Sequence, residues 1–114
     1  MPYYIPEEGD FIVAKFDPQS GHEQKGRRPA LVISNHLFNE ATGLTIVCPI
    51  TNTNRNIPFH IEIPQKSSLT GFIMVEQVKS IDYRSRKVKF IEKADKEILN
   101  EALSVLDACI YQNA

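Results

Sequence analysis

The sequence predicts an α+β protein, mostly β, in which a small, strongly bent antiparallel sheet or barrel carries a helix at its C-terminal end. Short apolar, β-prone runs alternate with clusters of Gly, Pro, Asn and Asp over residues 11–91, which is typical of short strands joined by turns. Helical spacing of apolar residues begins only after residue 94. Because no repeat or linker divides the 114 residues, we expect a single domain over residues 1–114.

The first half of the chain predicts three strands and a short helix. The first strand ends at a cluster of turn formers that begins with Asp17. Pro29 opens the second strand, because a buried strand tolerates proline only at its first position. Asn35 can cap a short helical turn, and Gly43 breaks that turn before the third strand. The predicted bounds are residues 11–16, 29–34 and 44–50 for the strands and 35–39 for the helix.

The second half predicts three further strands and the terminal helix. Residues 58–63 alternate between polar and apolar, and two β-prone runs follow, separated by turn-rich segments. The last segment spaces Ile98, Ala102, Val105 and Cys109 as one apolar helix face. The predicted bounds are residues 58–63, 72–81 and 87–91 for the strands and 94–112 for the helix.

Composition limits the possible functions. With 42% hydrophobic and 24% charged residues, the chain has the make-up of an ordinary globular protein. Its net charge of -1 argues against a protein that coats nucleic acid through bulk positive charge, although basic residues gather locally around residues 15–28 and 79–93. Cys48 and Cys109 are predicted to be buried free thiols, which suggests a reducing compartment. Without a signal sequence or membrane span, we expect a cytoplasmic location.

Three polar segments are predicted to meet at one edge of the sheet. In a meander of antiparallel strands, alternate connections lie at the same end. Arg28 at the start of the second strand and Thr51 at the end of the third then share an edge, below the loop that carries Glu23. The fifth predicted strand runs towards the same edge and brings Glu76 there.

This set of side chains suits phosphate chemistry on RNA. RNA supplies its own nucleophile, the 2'-hydroxyl, so an enzyme needs a base for that proton, a cation over the phosphate and an acid for the leaving oxygen. Arg28 can donate two parallel hydrogen bonds to a phosphate. His22 lies in the candidate loop, whereas His36 and His60 are interpreted as ordinary surface or core residues. No histidine has ligand spacing to another, so we expect neither a metal nor another cofactor.

A family resemblance extends over nearly the whole chain. The residues that carry it are Gly9-Asp10, Phe16-Asp17-Pro18, Gly21-His22-Glu23-Gln24 with Gly26 and Arg28-Pro29, Pro49-Ile50-Thr51, and Glu76-Gln77-Val78-Lys79-Ser80-Ile81-Asp82. With these motifs the sequence resembles the MazF/PemK family of toxin endoribonucleases from toxin-antitoxin pairs. The resemblance implies a CcdB/PemK-like, SH3-like barrel, a homodimer, cleavage of single-stranded RNA at short motifs, and inhibition by a cognate antitoxin.

The resemblance also implies roles for particular residues. Arg28 and Thr51 match family residues that handle the phosphate, and Glu23 matches the family's loop glutamate. In some members an acidic residue at the position of Glu76 is the base, with an arginine two residues earlier as the acid; here that earlier residue is Met74. The base is therefore Glu23 or Glu76, and the expected products are a 2',3'-cyclic phosphate and a 5'-hydroxyl. The remaining candidates for substrate contact are His22, Gln24, Lys25, Arg27, Asn52, Gln77, Lys79 and Arg86.

Two rival functions follow from the same sequence. A gyrase poison on the same fold would act through its terminal helix, but such poisons resemble one another in a tryptophan-containing tail, and this chain has no Trp. A non-catalytic RNA-binding module could use the basic edge to hold phosphates alone. If an antitoxin is the partner, we expect an acidic, largely disordered tail that folds across the basic groove and competes with RNA.

Overall fold

The computed structural model describes residues 3–16 and 26–111. Within them lie strands, two α-helices and one short turn of 3-10 helix at Val75–Gln77. The strands are β1 Asp10–Lys15, β2 Arg27–Val32, β3 Leu44–Thr51, β4 His60–Glu62, β5 Phe72–Met74, β6 Lys79–Asp82 and β7 Lys89–Lys93. The helices are α1 His36–Thr42 and α2 Lys96–Tyr111.

The strands form one antiparallel sheet in the order β4-β5-β3-β2-β1-β7, and β6 pairs with a second stretch of β3. A contact between two strands that are not paired indicates that the sheet is strongly bent. The ammonium of Lys79 on β6 lies 5.2 Å from the ring centre of Phe16, which follows β1, although β6 and β1 are not neighbours in the sheet. The predicted fold class, a mostly β sheet with a C-terminal helix, is confirmed.

Each face of the sheet covers its own core. The concave face packs Ile12, Ala30, Val32 and Val47 with Tyr83 and other side chains of the last strands. The opposite face packs Phe11, Leu31, Cys48 and Ile73 under α2. Because successive side chains of a strand point to opposite faces, two covered faces require the nearly continuous apolar runs of β1, β2 and β3.

The helix α1 begins where the sequence predicts and runs three residues further. The side chain of Asn35 accepts a hydrogen bond from the backbone N–H of Phe38 at 2.8 Å, which satisfies one donor of the first turn. Gly43 ends the helix with a φ of 75°, the left-handed conformation that glycine adopts without strain.

The single long strand predicted over residues 72–81 is wrong. The Val75–Gln77 turn divides it into β5 and β6, which pair with different stretches of β3. The assumed meander is wrong at the same place, since β4 pairs with β5 and not with β3. Consequently β5 starts beside Thr51, where Phe72 is its partner, and runs away from the edge that it was expected to approach.

Proline is accommodated inside β2, at Pro29, and not only at its first position as predicted. Pairing with β3 begins at Ala30, so one side of β2 is unpaired at the proline, which lacks a backbone N–H. The strand therefore begins two residues earlier than predicted and includes Arg27 and Arg28.

The two cysteines have different environments. Cys48 is fully buried, as predicted, but the predicted burial of Cys109 is wrong because it is exposed. The sheet covers only the first turns of α2, and Ile110 and Tyr111 near its end are mostly exposed. No helix in the described ranges 3–16 and 26–111 is long and apolar enough to span a membrane.

Candidate functional site

The polar segment at residues 17–25 connects β1 to β2. Lys15 pairs with Arg27, and the backbone N–H of Phe16 donates to the carbonyl of Gly26 at 2.8 Å, so hydrogen bonds join the described residues that flank the segment. Four candidate site residues lie inside it and therefore outside the described residues: His22, Glu23, Gln24 and Lys25.

Arg86 stabilises the base of this segment. Its Nη1 donates to the carbonyl oxygens of Phe16 at 3.0 Å and of Lys15 at 3.4 Å. The backbone N–H of Lys15 in turn donates to the carbonyl of Arg86 at 2.9 Å. Arg86, which is expected to contact the substrate, therefore lies beside the C-terminal end of β1. Part of its hydrogen-bonding capacity is used by main-chain carbonyls there.

Arg28 and Thr51 lie at the same end of the paired strands β2 and β3. The last paired residues of β2 and β3 are Ala30 and Pro49, and each candidate residue is two positions further along its strand. Both side chains therefore lie on the concave face, on the same side as Ala30. Arg28 is exposed and Thr51 is half-buried, with its Oγ1 accepting a hydrogen bond from the N–H of Thr53 at 3.2 Å.

A close backbone approach fixes the end of β3. Gly71 has a φ of 124°, and a Cβ at this position would lie 2.5 Å from the carbonyl oxygen of Thr51. Only glycine allows the chain to pass so near the site at that φ. Beside it, the side chain of Asn52 accepts a hydrogen bond from the hydroxyl of Thr70 at 3.2 Å, which commits this candidate residue to the neighbouring loop.

The other candidate side chains extend the polar surface. Lys79 is exposed and lies over the ring of Phe16, next to the base of the 17–25 segment. Arg27 is half-buried in β2, and Gln77 is exposed on the 3-10 turn. Arg28, Thr51 and Lys79 share the concave face, because Lys79 pairs with Val47 of that face.

Glu76 contacts His60, a residue that the sequence suggests to be an ordinary surface or core histidine. Nε2 of His60 and Oε2 of Glu76 are 2.8 Å apart, and the side chains are 3% and 29% exposed, respectively. The Val75–Gln77 turn that carries Glu76 lies between β5 and β6, which both pair with β3. Burial and, secondarily, the charge of Glu76 raise the pKa of Cys48 on β3 to about 12. Glu76 is therefore on a turn beside β3, two strands away from β2.

The strand register connects His60 to the Thr51 end of β3. His60 pairs with Met74 and Thr51 pairs with Phe72, and Phe72 and Met74 point to the same face of β5. His60 thus belongs to the concave face. The alternation over residues 58–63 could have indicated its face, but not its contact with Glu76, which depends on how distant strands pair.

The described ranges offer no candidate metal site. Within residues 3–16 and 26–111, no group of three or more His, Cys, Asp or Glu could hold a metal ion. His36, as expected, is exposed at the surface, 3.9 Å from Glu7 and 3.8 Å from Glu40.

Comparisons with known proteins agree on one family. The model of the PemK-like, MazF-like toxin of type II toxin-antitoxin systems matches residues 7–110. The endoribonuclease toxin ChpB of Escherichia coli K12 is 39% identical over 112 residues, 91% of this chain and 93% of its own. A crystal structure of MazF from Deinococcus radiodurans has a TM-score of 0.85 and 35% identity, covering 95% of this chain and 98% of that one. A MazE-MazF complex from the same organism has a TM-score of 0.86 and 33% identity, covering 94% and 97%.

Proposed function

This chain belongs to the PemK-like, MazF-like family of type II toxins, and from that premise we propose that it is an endoribonuclease toxin that cleaves single-stranded messenger RNA in the cytoplasm. The proposal is supported by relatives that are named as endoribonuclease toxins and that match most of their own length. Cleavage at short sequence motifs follows from the same family membership.

The observation that carries the proposal is that β2 and β3 bring Arg28 and Thr51 to the same end and the same face of the sheet. The guanidinium is exposed at the end of the sheet, next to the base of the 17–25 segment. An exposed guanidinium beside a hydroxyl can donate several hydrogen bonds to the oxygens of one phosphate. Those donors would stabilise the charge that develops when the phosphorus becomes pentacovalent.

The reaction needs no nucleophile from the protein. A carboxylate, Glu23 or Glu76, accepts the proton of the 2'-hydroxyl, whose oxygen then attacks the adjacent phosphorus. The bond to the 5'-oxygen breaks and that oxygen takes up a proton, which leaves a 2',3'-cyclic phosphate and a 5'-hydroxyl. Because base, cation and intrinsic nucleophile are all available, the chemistry does not require a metal ion. Neighbouring polar side chains would bind the flanking nucleotides: His22, Gln24, Lys25, Arg27, Asn52, Gln77, Lys79 and Arg86.

The partners follow from the family. Structures of relatives with their antitoxins support a cognate antitoxin for this chain. We propose that its acidic, disordered tail covers the surface around Arg28 and Lys79, where it would compete with RNA for the same cations. A homodimer, as the family resemblance implies, would present two such surfaces.

The decisive experiment is cleavage of a defined single-stranded RNA by the purified protein in excess EDTA. We expect cutting at a short motif, with a 2',3'-cyclic phosphate on one product and a 5'-hydroxyl on the other. A matched RNA with a single 2'-deoxy sugar at the cleavage position should bind but remain intact. Binding of both RNAs without cutting would leave only the RNA-binding rival, and activity lost in EDTA would refute the metal-free mechanism. DNA supercoiling assays with gyrase test the other rival.

A further inference from the structure

The N-terminal segment and the turn between β6 and β7 enclose a cavity that the proposed reaction does not use. Its volume is about 480 Å³. It lies on the concave side of the sheet, because Tyr83 and Val88 belong to the core of that face and Tyr4 packs against the same core. The lining combines aromatic rings with two cations: Tyr3, Tyr4, Tyr83, Arg84, Lys87 and Val88.

Two of the three tyrosines have hydroxyls that are already hydrogen-bonded within the chain. The hydroxyl of Tyr4 donates to the carboxylate of Asp10, and the hydroxyl of Tyr83 donates to the carbonyl of Asn39 at 2.9 Å. These donors are used for folding, so Tyr4 and Tyr83 offer a ligand mainly the faces and edges of their rings.

A stacked pair and a second cation form the exposed part of the lining. The guanidinium of Arg84 lies over the ring of Tyr3, with Cζ 3.5 Å from the ring centre. Tyr3 is 51% exposed, and Arg84 and Lys87 are exposed as well. Neither cation forms an ion pair with a carboxylate of residues 3–16 and 26–111, so both positive charges are available to a ligand.

The same turn connects the cavity to the candidate site. The backbone N–H of Lys15 donates to the carbonyl of Arg86 at 2.9 Å, and Arg86 is only two residues beyond Arg84. On the other side of β1, Ala14 pairs with Arg28. Because adjacent strands are about 4.8 Å apart, the main chains of β2 and of this turn are about 10 Å apart across β1. One extended strand of RNA can therefore contact both.

From this geometry we propose that the cavity is a second subsite for single-stranded RNA, which binds the base and phosphate of a nucleotide outside the cleavage position. The inference rests on the proposed function and extends it to a longer stretch of substrate. The base continues the stack of Tyr3 and Arg84, and the ammonium of Lys87 binds the adjacent phosphate. Nucleobases stack on aromatic rings and guanidinium planes, while cations hold the backbone. An acidic peptide would match the two cations but not the planar stack.

The test is equilibrium binding of a labelled single-stranded RNA that cannot be cleaved. The probe is a 2'-O-methyl oligoribonucleotide of about 12 nucleotides with all four bases, followed by fluorescence anisotropy. We expect Tyr3→Ala to weaken binding about 5- to 30-fold. Arg84→Lys, which keeps the charge but loses the plane, should weaken it about 3- to 10-fold.

Lys89→Ala is the control for these variants. Lys89 is an exposed cation of β7, but it precedes Phe90, whose ring contacts Tyr4, and therefore points to the opposite face. We expect it to bind the probe within about twofold of wild type. Wild-type affinity in both Tyr3→Ala and Arg84→Lys, two changes at exposed positions, would overturn the inference.

Salt dependence separates stacking from phosphate binding. Each phosphate contact to a single strand contributes about 0.7 to the slope of log affinity against log salt concentration. Lys87→Gly should reduce the slope by about that amount, and glycine suits the φ of 53° at this position. Tyr3→Ala and Arg84→Lys should leave the slope unchanged. An abasic oligomer of the same length has phosphates without bases, so an equal loss of its binding in Tyr3→Ala would overturn the inference.

Cleavage kinetics distinguish this inference from the proposed function. With a cleavable RNA of the same length, Tyr3→Ala should raise KM about tenfold and leave kcat within about twofold, because the lost contact binds substrate and transition state alike. Weakened probe binding in Tyr3→Ala, in a protein whose wild type cuts no RNA, would support the subsite and refute the proposed function. Unchanged RNA binding with reduced binding of a labelled oligoglutamate peptide would identify a peptide site and overturn the inference.

Discussion

Two hydrogen-bonded carboxylates lie in different regions of this molecule and differ in how many of their oxygens have a partner. Asp10, at the start of β1, is almost fully buried. It accepts hydrogen bonds from the hydroxyl of Tyr4 and the backbone N–H of Glu7, and the ammonium of Lys93 is 2.6 Å away. Glu76 has one imidazole donor and an oxygen with no partner in the described ranges.

The difference indicates what each region does. Asp10 joins the N-terminal segment, β1 and β7, and burial and Asp10 raise the pKa of Tyr4 well above its usual value, so that the phenol remains a donor. Both oxygens of Asp10 have partners within the chain, which suits a structural role. At Arg28, and separately at Glu76 beyond the end of β5, polar groups remain exposed, which suits contact with a substrate. Substitutions should therefore affect stability in the first region and cleavage in the second.

The largest expected effect is on cleavage, from Arg28→Ala. Loss of the guanidinium should reduce kcat/KM about 100- to 1000-fold, because donors to the developing charge stabilise the transition state by several kcal/mol. The free energy of unfolding should change by no more than about 0.5 kcal/mol, since the side chain is exposed and makes no ion pair in the described residues. Single-turnover cleavage and urea unfolding measure the two quantities.

Lys89→Ala is the matched control for Arg28→Ala. Lys89 is also an exposed cation on a strand, but its pairing with Val13 places it on the face opposite to Arg28, which pairs with the neighbouring Ala14. We expect cleavage within about twofold of wild type. Equal losses in both variants would mean that overall positive charge, and not the position of Arg28, determines activity.

The second effect is on stability, from Asp10→Ala. This change leaves the hydroxyl of Tyr4 and the N–H of Glu7 without their acceptor and should lower the free energy of unfolding by about 2 to 3 kcal/mol. Lys93 adds little to this figure because it is half-exposed. Cleavage per folded molecule should remain at the wild-type level. A stable variant with reduced kcat would show that the Asp10 region also contributes to the reaction.

A smaller effect is expected from Thr51→Val. Replacing the hydroxyl by a methyl group keeps the shape of the end of β3 but removes a donor to phosphate, so kcat/KM should fall about tenfold. Thr51→Ser keeps the hydroxyl and should cleave within about threefold of wild type. If both variants lose activity equally, the methyl group or the local backbone matters more than the hydroxyl, which already accepts a hydrogen bond from Thr53.

How much the sequence could predict depended on the distance between pairing partners along the chain. The expectation that Arg28 and Thr51 share one edge follows from two successive antiparallel pairings, β1 with β2 and β2 with β3. The structure has both pairings, and the two residues lie just beyond the last β2–β3 pair, Ala30 with Pro49. Continuous apolar runs and capping residues also predicted β1, β3 and both helices to within a few residues at each end.

The surroundings of Glu76 could not be predicted in the same way. They depend on β5 being inserted between β3 and β4, and on a 3-10 turn in what appears as one continuous β-prone run. Apolar periodicity contains no information on which strand lies between two others. The contact between Glu76 and His60 therefore emerged only from the folded chain, as did the exposure of Cys109 beyond the end of the sheet.

The smallest expected effect concerns a third carboxylate, Glu92 on β7. It tests whether a hydrogen-bonded carboxylate makes the free energy of unfolding depend on pH. Hydrogen bonds from Ser67 and Ser68 lower the pKa of Glu92. A carboxyl whose pKa is lowered by folding stabilises the native state above its ordinary pKa, and this contribution is lost as the pH falls through the lowered value.

Glu92→Gln should therefore lower the free energy of unfolding at pH 7 by less than about 1 kcal/mol, because the group is solvent-screened. The difference from wild type should be smaller at an acidic pH, where the carboxyl of wild type begins to be protonated in the folded state as well. Urea unfolding at the two pH values measures it, with Glu62→Gln, an exposed glutamate on β4, as the control. An equal difference at both pH values would assign the effect to packing of the Ser67 loop and not to charge.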